Sequence, residues 1–433
     1  MRIDRRLLLV ALLACIVAAV SSYIHLPNSP VANALNNPGI GYSDINTLFS
    51  TYIGGGDGWF DKDLYQKFRD GTKFCPAPYL HYKFEYPPLV GLLWYSSTCL
   101  AIQTTFPSNY TSLEFSSLVQ RAIYVHYYVH AAALSLSFVA LSIVLYRTCR
   151  DLGLDWRRSL VFVLLPTSFL YLVYNWDPIA ALFTLLGVES YRRGKYGWAG
   201  AWLGLAVATK LLPIGVAFVL LYELVQRYLN GDREPLTRFV PSLAILGGGP
   251  YLAMLAISVE GFRSFVEHHA SWYCENCLSL VLFRDFTSPL HHVFSMVAVP
   301  IALMIVACID IGNDARKLYT ASFLAMTGTI LFNYVFTPQM MFMIAPLALV
   351  ALPTTRSLVI YLVADAANFG IMALFFKELE VRKLLAPYLG IEVRWGQFEA
   401  DSPIQMIACV RNVALLVLWI YLLSIAMSRS SEA

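Results

Sequence analysis

The sequence predicts an all-α polytopic membrane protein, and three observations carry that prediction. Of 433 residues, 58% are hydrophobic and only 14% are charged, with a mean hydropathy of +0.59, outside the range of soluble globular domains. Apolar runs long enough to cover ~30 Å of hydrocarbon recur along the whole chain, giving about twelve transmembrane helices, within a range of roughly ten to thirteen. The short connections between these runs are alternately basic and free of basic residues, as the positive-inside rule requires.

The first run, residues 7–26, follows the basic start MRIDRR and lacks a small-x-small cleavage pattern, so it reads as a retained span with a cytoplasmic amino end. Further spans are predicted at 118–147, 159–174, 178–191, 197–210, 212–229, 238–257, 291–309, 318–336, 338–352, 356–376 and 404–427. An even count returns the carboxyl end to the cytoplasm. The inner loops then read YRTCRDLGLDWRR, YRRGKYG, QRYLNGDREPLTR and DARK, all basic. The outer connections at 175–177 and 336–339 carry neither Lys nor Arg.

The run PLVGLLWYSSTCLAIQTTF, 88–106, is apolar enough to cross. Crossing would invert every later loop against the positive-inside rule, so it is placed on the outer face as an interfacial helix flanked by aromatic residues. Residues 27–117 thereby become one large first outer loop with juxtamembrane helices, long enough to be a functional element. Residues 377–403 form a late outer loop, and the whole chain, 1–433, reads as a single membrane-embedded domain.

Other features narrow the function classes. The net charge of +3 is accounted for by the inner loops, and no nucleic-acid-binding patch is visible. Cys15, Cys149, Cys308 and Cys409 fall in spans or inner positions, whereas Cys75, Cys99, Cys274 and Cys277 fall outside. The Cys274-Glu-Asn-Cys277 spacing suits either a tight disulfide or half of a metal site, and no second CxxC accompanies it. Asn109-Tyr-Thr111 is a glycosylation triplet in the outer loop. Gly54 to Gly58 reads as a flexible turn, and the sequence contains no P-loop or dinucleotide spacing, GxSxG, HExxH or soluble repeat period.

Ionisable groups at membrane depth are costly and mark function by default. Asp44 in GYSDINTLF, Glu85 with Tyr86 in FEYPP, Trp176-Asp177 in NWDP, Lys210 in ATKLLP, and His268, His269 and Glu275 in EHHASWYCEN all fall on the outer side of this map. Each also has a structural explanation. Asp177 before Pro178 suits a helix start, Lys210 can snorkel, Glu85 can pair with Lys83, and Asp44 can be a solvated loop carboxylate. Convergence tips the balance: acids, a lysine and histidines from four separate connections meet on one face. That combination suits an amphiphilic substrate, because lysine binds a lipid phosphate, histidine donates to its oxygens and a carboxylate takes a proton from a sugar hydroxyl.

The runs GYSDI, FEYPPLVGLLW, NWDPIAALFTLLGVESYRRGKYGWAGAWLGLAVATKLLPI and FNYVFTPQMMFMIAPL, in that order over residues 1–350, resemble the GT-C class of membrane glycosyltransferases. Within it the pattern is most similar to the polyprenol-phosphate-mannose-dependent mannosyltransferases of the mycobacterial phosphatidylinositol-mannoside type, and more distantly to the first mannosyltransferase of GPI-anchor synthesis. The resemblance implies a GT-C-like fold and Asp44 as the catalytic base. It implies that Lys210 and the loop carrying His268, His269 and Glu275 approach the donor phosphate, with Gln339 near the sugar. Glu85, Tyr86, Trp176 and Asp177 would support the acceptor side or its loop. The chain departs from the pattern in having Ile45-Asn46 after Asp44 instead of a second acid, in PQM where an aromatic commonly follows the glutamine, and in Ser271-Trp272-Tyr273 where relatives carry arginine. Phosphate recognition is then shared with Arg263, and neither a divalent metal nor another cofactor is expected.

On this reading a hexose, mannose first, moves from a polyprenyl-phosphate-sugar donor to a lipid or lipid-linked glycan acceptor at the outer face of the cell membrane, or of the endoplasmic reticulum in a eukaryote. Inverting transfer needs one base, whereas a double displacement needs a second carboxylate as nucleophile. A multi-span transporter or lipid flippase is the rival class, but the two halves are not duplicated and the charges cluster at one face instead of the midplane. A non-catalytic subunit of a glycosylation complex is the other.

Overall fold

The computed structural model describes residues 4–428. Among them, helices follow one another along the whole chain, and the only β pairing is three isolated bridges, Trp59 with Tyr82, Pro78 with Tyr82 and Glu275 with Val335. Six helices are long and apolar enough to cross a membrane: Arg5–Ile24, Ser112–Asp151, Glu234–Ile257, Leu290–Ala307, Thr355–Phe375 and Pro403–Ser428. The chain is an integral membrane protein with an all-α fold. The other predicted spans correspond to shorter helices of 14 to 17 residues, Asp177–Arg192, Tyr196–Thr209, Ile214–Leu229 and Ala315–Leu331, and to the short Pro338–Ala351 helix. At 1.5 Å per residue these reach only about 21 to 26 Å, less than a full hydrocarbon thickness. They pack against one another inside the bundle.

The expected span at 159–174 is not one helix. It breaks into Arg157–Leu164 and Pro166–Leu170, and residues 171–176 leave helical structure altogether. Pro166 supplies the cause: it has no N–H to give and excludes the helical region for Leu165, whose ψ is 139°. The broken segment presents free backbone carbonyls deep in the molecule, and these are used at the site described below.

Loops expected to share a side do meet. Asp4 pairs with Arg150 at 2.7 Å, Arg192 and Arg193 reach Asp151, and Arg158 donates to the carbonyls of Leu349 and Leu352 at 2.8 Å. Deeper on the same side, Glu189 holds Arg192 and accepts from Tyr319. All are ends assigned to the inner face. The ends assigned to the outer face gather at the opposite end of the bundle.

The Ser112–Asp151 helix has 40 residues and so a length of about 60 Å, twice the membrane core. Tyr127 on it donates to the carbonyl of Ser22, near the end of the first helix, so the turns before Tyr127 stand beyond that end. The Pro88–Thr105 helix packs on the last of these turns and on the next one, through Trp94 against His126 and Ser97 bonded to His126 and His130. Around it the first outer loop forms an aromatic core of Trp59, Phe68, Tyr82 and Phe106, and the Cys75–Cys99 disulfide ties the loop to the helix. In the late outer loop Arg382 is fully buried against Glu378 and Asp401, which fixes residues 378–402 as an ordered cap.

Candidate active site

The short Asp44–Phe49 helix begins where Ser43 is extended, and the break in the 159–174 segment sets its position. The Asp44 N–H donates to the Tyr174 carbonyl at 3.0 Å and the Ser43 hydroxyl to the Val173 carbonyl at 3.1 Å. From the same segment Asn175 Nδ2 donates to Asp44 Oδ2 at 2.6 Å, and the Tyr86 hydroxyl donates to the same oxygen at 2.8 Å. Tyr86 is held by its carbonyl, which accepts from Tyr79, and by Trp176, whose ring meets it edge-on at 4.6 Å. Trp176 is itself fixed by donating to His130 Nδ1 at 3.0 Å. Pro87 and Pro88 hold the chain extended at Tyr86 before the next helix starts, which aims Glu85 and Tyr86 inward.

Asp44 lies on the wall of a cavity of about 520 Å³ that Glu85, Tyr86, Lys210, His268, His269, Glu275 and Gln339 also line. Lys210 is the residue at which the Tyr196–Thr209 helix ends, extended at φ −148°, so its ammonium sits at the negative end of that helix. Its Nζ is 3.3 Å from Asp177 Oδ2 and 5.4 Å from the Tyr86 ring centre. Asp177 is fully buried and neither of its oxygens makes an aligned hydrogen bond, so the pair is held by charge. Gln339 stands in the Pro338–Met340 turn with a buried Oε1 that has no partner in the protein, an acceptor left for a ligand hydroxyl.

The Val259–Ser271 helix carries the two histidines. It approaches the first outer loop so closely that a Cβ at Gly261 would lie 2.1 Å from the Tyr79 carbonyl, and only glycine allows this contact. His268 Nε2 is 3.6 Å from Glu85 Oε2. Burial lowers the His268 pKa to about 4, so at neutral pH this is a contact between a neutral ring and an acid and not an ion pair. His269 Nδ1 is 2.9 Å from the Phe265 carbonyl, which can only accept. The ring therefore carries its proton on Nδ1, and burial keeps it neutral. Its Nε2 presents a lone pair. With its proton on Nδ1 the ring can accept from a sugar hydroxyl.

Glu275 is anchored by its backbone, which bridges to Val335 through bonds to the Tyr334 carbonyl and the Phe336 N–H. The Cys274–Cys277 disulfide closes this loop, and the Glu275 carboxylate accepts from Trp272 Nε1 at 3.0 Å. Burial, with the Asp44 charge adding to it, raises Glu85 to about 7, and burial raises Glu275 to about 7. Burial also raises Asp44 above the ordinary carboxylate range, against the pull of Tyr86, Lys210 and Asn175.

Arg263 is not brought to the cavity. Its side chain is 78% exposed and pairs with Glu267 at 2.7 Å. On a helix, residues five and six positions apart point about 140° and 240° around the axis, so Arg263 turns away from His268 and His269. Trp176 and Asp177 lie behind the cavity wall, where they support Tyr86 and Lys210.

One residue the sequence reading passed over organises the floor. Arg411, fully buried seven residues beyond Ile404, donates to the carbonyls of Phe336 at 2.9 Å and Asn276 at 3.2 Å and to Asn368 Oδ1 at 2.9 Å, with its guanidinium 3.4 Å from the Phe336 ring centre. It pins both loops that carry Glu275 and Gln339. Arg411→Lys keeps the charge but loses the planar fork, and at least two of its four bonds, the fourth running from Nε to Asn412 Oδ1, go with it at about 2 kcal/mol of stability. Thermal unfolding in lipid should show a lowered midpoint; an unchanged one would mean that the loops hold themselves.

No protein-family model matches the chain, and no curated protein sequence matches it. Two solved structures of ArnT from Cupriavidus metallidurans, one bound to undecaprenyl phosphate and one in the apo state, align with it. Each alignment has 15% identity and a TM-score of 0.41, and covers 96% of this chain and 76% of that one. At that level the likeness carries no functional inference.

Proposed function

We propose that the protein is a membrane glycosyltransferase of the GT-C class, moving a hexose, mannose first, from a polyprenyl-phosphate donor to a lipid or lipid-linked glycan at the outer face. The observation that carries the reading is Asp44: a half-buried carboxylate held on one oxygen by Tyr86 and Asn175, on the wall of a cavity that Lys210 also lines. With Oδ2 so held, Oδ1 takes the proton of an acceptor hydroxyl as that oxygen attacks the anomeric carbon. The carbon–phosphate oxygen bond breaks, and the leaving phosphate takes its electron pair beside the Lys210 ammonium. Gln339 Oε1 and His269 Nε2 accept from sugar hydroxyls. Glu85 and Glu275 flank the site as acids that are half-protonated near neutrality.

The test uses protein purified into lipid, radiolabelled polyprenyl phosphate mannose, glucose or arabinose, and a membrane lipid extract as acceptor. Label should pass from the mannose donor into a new lipid product. Absence of transfer from all three donors by folded protein would defeat the proposal.

The two flanking acids set a pH dependence. Their pKa values rise from 4.5 to about 7 on folding, so the native state binds more protons between those limits and loses stability as pH rises through them. Ionisation also adds negative charge beside an anionic donor. The donor KM should therefore climb as pH passes 7, and Glu275→Gln should flatten the climb. Equal KM values on both sides of pH 7 would show that the acids do not sense the donor.

A further inference from the structure

A second cavity, of about 590 Å³, opens between the turn after the first helix, the Asp44–Phe49 helix and the outward part of the Ser112–Asp151 helix. Tyr42, two residues before Asp44, lines both cavities and forms a wall between them. Their chemistry is opposite. The catalytic cavity holds three carboxylates and a lysine, whereas the second is lined by five asparagines, a glutamine and five serine or threonine hydroxyls, without one Asp, Glu, Lys or Arg.

Part of this polar wall serves the fold. Asn37 bonds to the Ala373 carbonyl and caps Gly39, Ser29 caps Ala32, and Asn46 Nδ2 donates to the His25 carbonyl at 2.8 Å. The rest is uncommitted. Among the described residues the side chains of Asn28, Asn36, Ser50 and Gln120 make no hydrogen bond within the protein, and Asn46 Oδ1 is buried without a partner. Amides and hydroxyls, each able to donate and accept, without net charge and beside one aromatic face, match a neutral polyol and repel neither end of it.

We infer that this cavity is the acceptor's carbohydrate subsite, taking a neutral sugar or cyclitol of the acceptor headgroup whose reactive hydroxyl lies past Tyr42 at Asp44. The inference rests on the transferase reading, and it further specifies an uncharged polyhydroxyl acceptor. An anionic headgroup finds no counter-charge here.

The test separates the two claims by measuring binding without donor or turnover. Full-length protein in lipid is probed by saturation-transfer NMR with methyl α-mannoside and with myo-inositol, against glucuronate as the charged control. The neutral probes should receive saturation and glucuronate should not. Gln120→Ala with Ser50→Ala removes two uncommitted groups on exposed helical positions, where alanine is tolerated. Each lost hydrogen bond should weaken neutral-probe binding about fivefold. In the transfer assay the same variant should raise the acceptor KM and leave the donor KM unchanged. No saturation of either neutral probe by wild type, or equal saturation in the double variant, overturns the subsite whatever the transfer assay shows. Bound neutral probes without any transfer would overturn the catalytic reading and keep a glycan-binding cavity.

Discussion

Asp44→Asn should lower the transfer rate by about 10²- to 10⁴-fold, the usual contribution of a positioned base, while the protein stays folded. The structure explains why both halves of that result are expected together. The Asn side chain keeps one oxygen, which can still accept from Tyr86 and Asn175, so the Asp44–Phe49 helix keeps its anchor. What is lost is the second carboxylate oxygen and the charge. Burial holds the Asp44 carboxyl above its ordinary value, meaning that its anion is disfavoured where it sits. Replacing it with a neutral amide relieves that penalty, so thermal unfolding should occur at the same temperature or a higher one. A rate loss joined to unchanged or increased stability is the mark of a group kept for chemistry at a cost to the fold. Tyr86→Phe removes one of the two donors and should fall between wild type and Asp44→Asn. Full activity in Asp44→Asn would transfer the base to Glu85 or Glu275, the other carboxylates on the same wall.

Much of this site was legible before any coordinates. Asp44 with Glu85, Lys210, His268 with Glu275, and Gln339 come from four separate connections, and the charge pattern of the loops put all of them on one side. Convergence followed from topology, which composition and the positive-inside rule constrain strongly. What was missed has local causes. Pro166 was visible in the sequence, yet an apolar run still reads as a span when the break is internal, and the carbonyls of Val173 and Tyr174 that anchor Ser43 and Asp44 leave no trace in composition. Arg263 was enlisted because Ser271-Trp272-Tyr273 stands where relatives carry arginine, without regard to its angle around the helix, which the helical period would have supplied. Arg411 is a lone arginine inside the last apolar run, a signal that marks function or structure in any membrane protein. Two of its partners are backbone carbonyls 75 and 135 positions away, and no pairing rule for side chains could have named those. The amide-rich second cavity is built from residues that singly read as loop polarity, and only the fold gathers them.

Lys210→Met is the more demanding experiment, because one substitution removes two things. Lys210 neutralises Asp177, which is fully buried and has no aligned hydrogen bond of its own. Taking away the lysine leaves an uncompensated buried carboxylate, at about 3–5 kcal/mol, and the variant should be recovered poorly from membranes. Loss of activity in it would say nothing about the donor. Lys210→Met with Asp177→Asn removes both charges and should recover folding, since a neutral pair at that depth is often as stable as the ion pair it replaces. In that background the donor meets a cavity without its cation, for Lys210 is the one Lys or Arg among the residues that line it. A charge-assisted hydrogen bond contributes about 1.5–3 kcal/mol, so donor affinity should fall roughly 10- to 100-fold. Binding of a polyprenyl phosphate, followed by tryptophan fluorescence, reads this without turnover. Restored folding with weakened binding assigns the ammonium to the phosphate. Restored folding with wild-type affinity would make Lys210 the counter-ion of Asp177 alone, and the proposed phosphate subsite would be left without a cation.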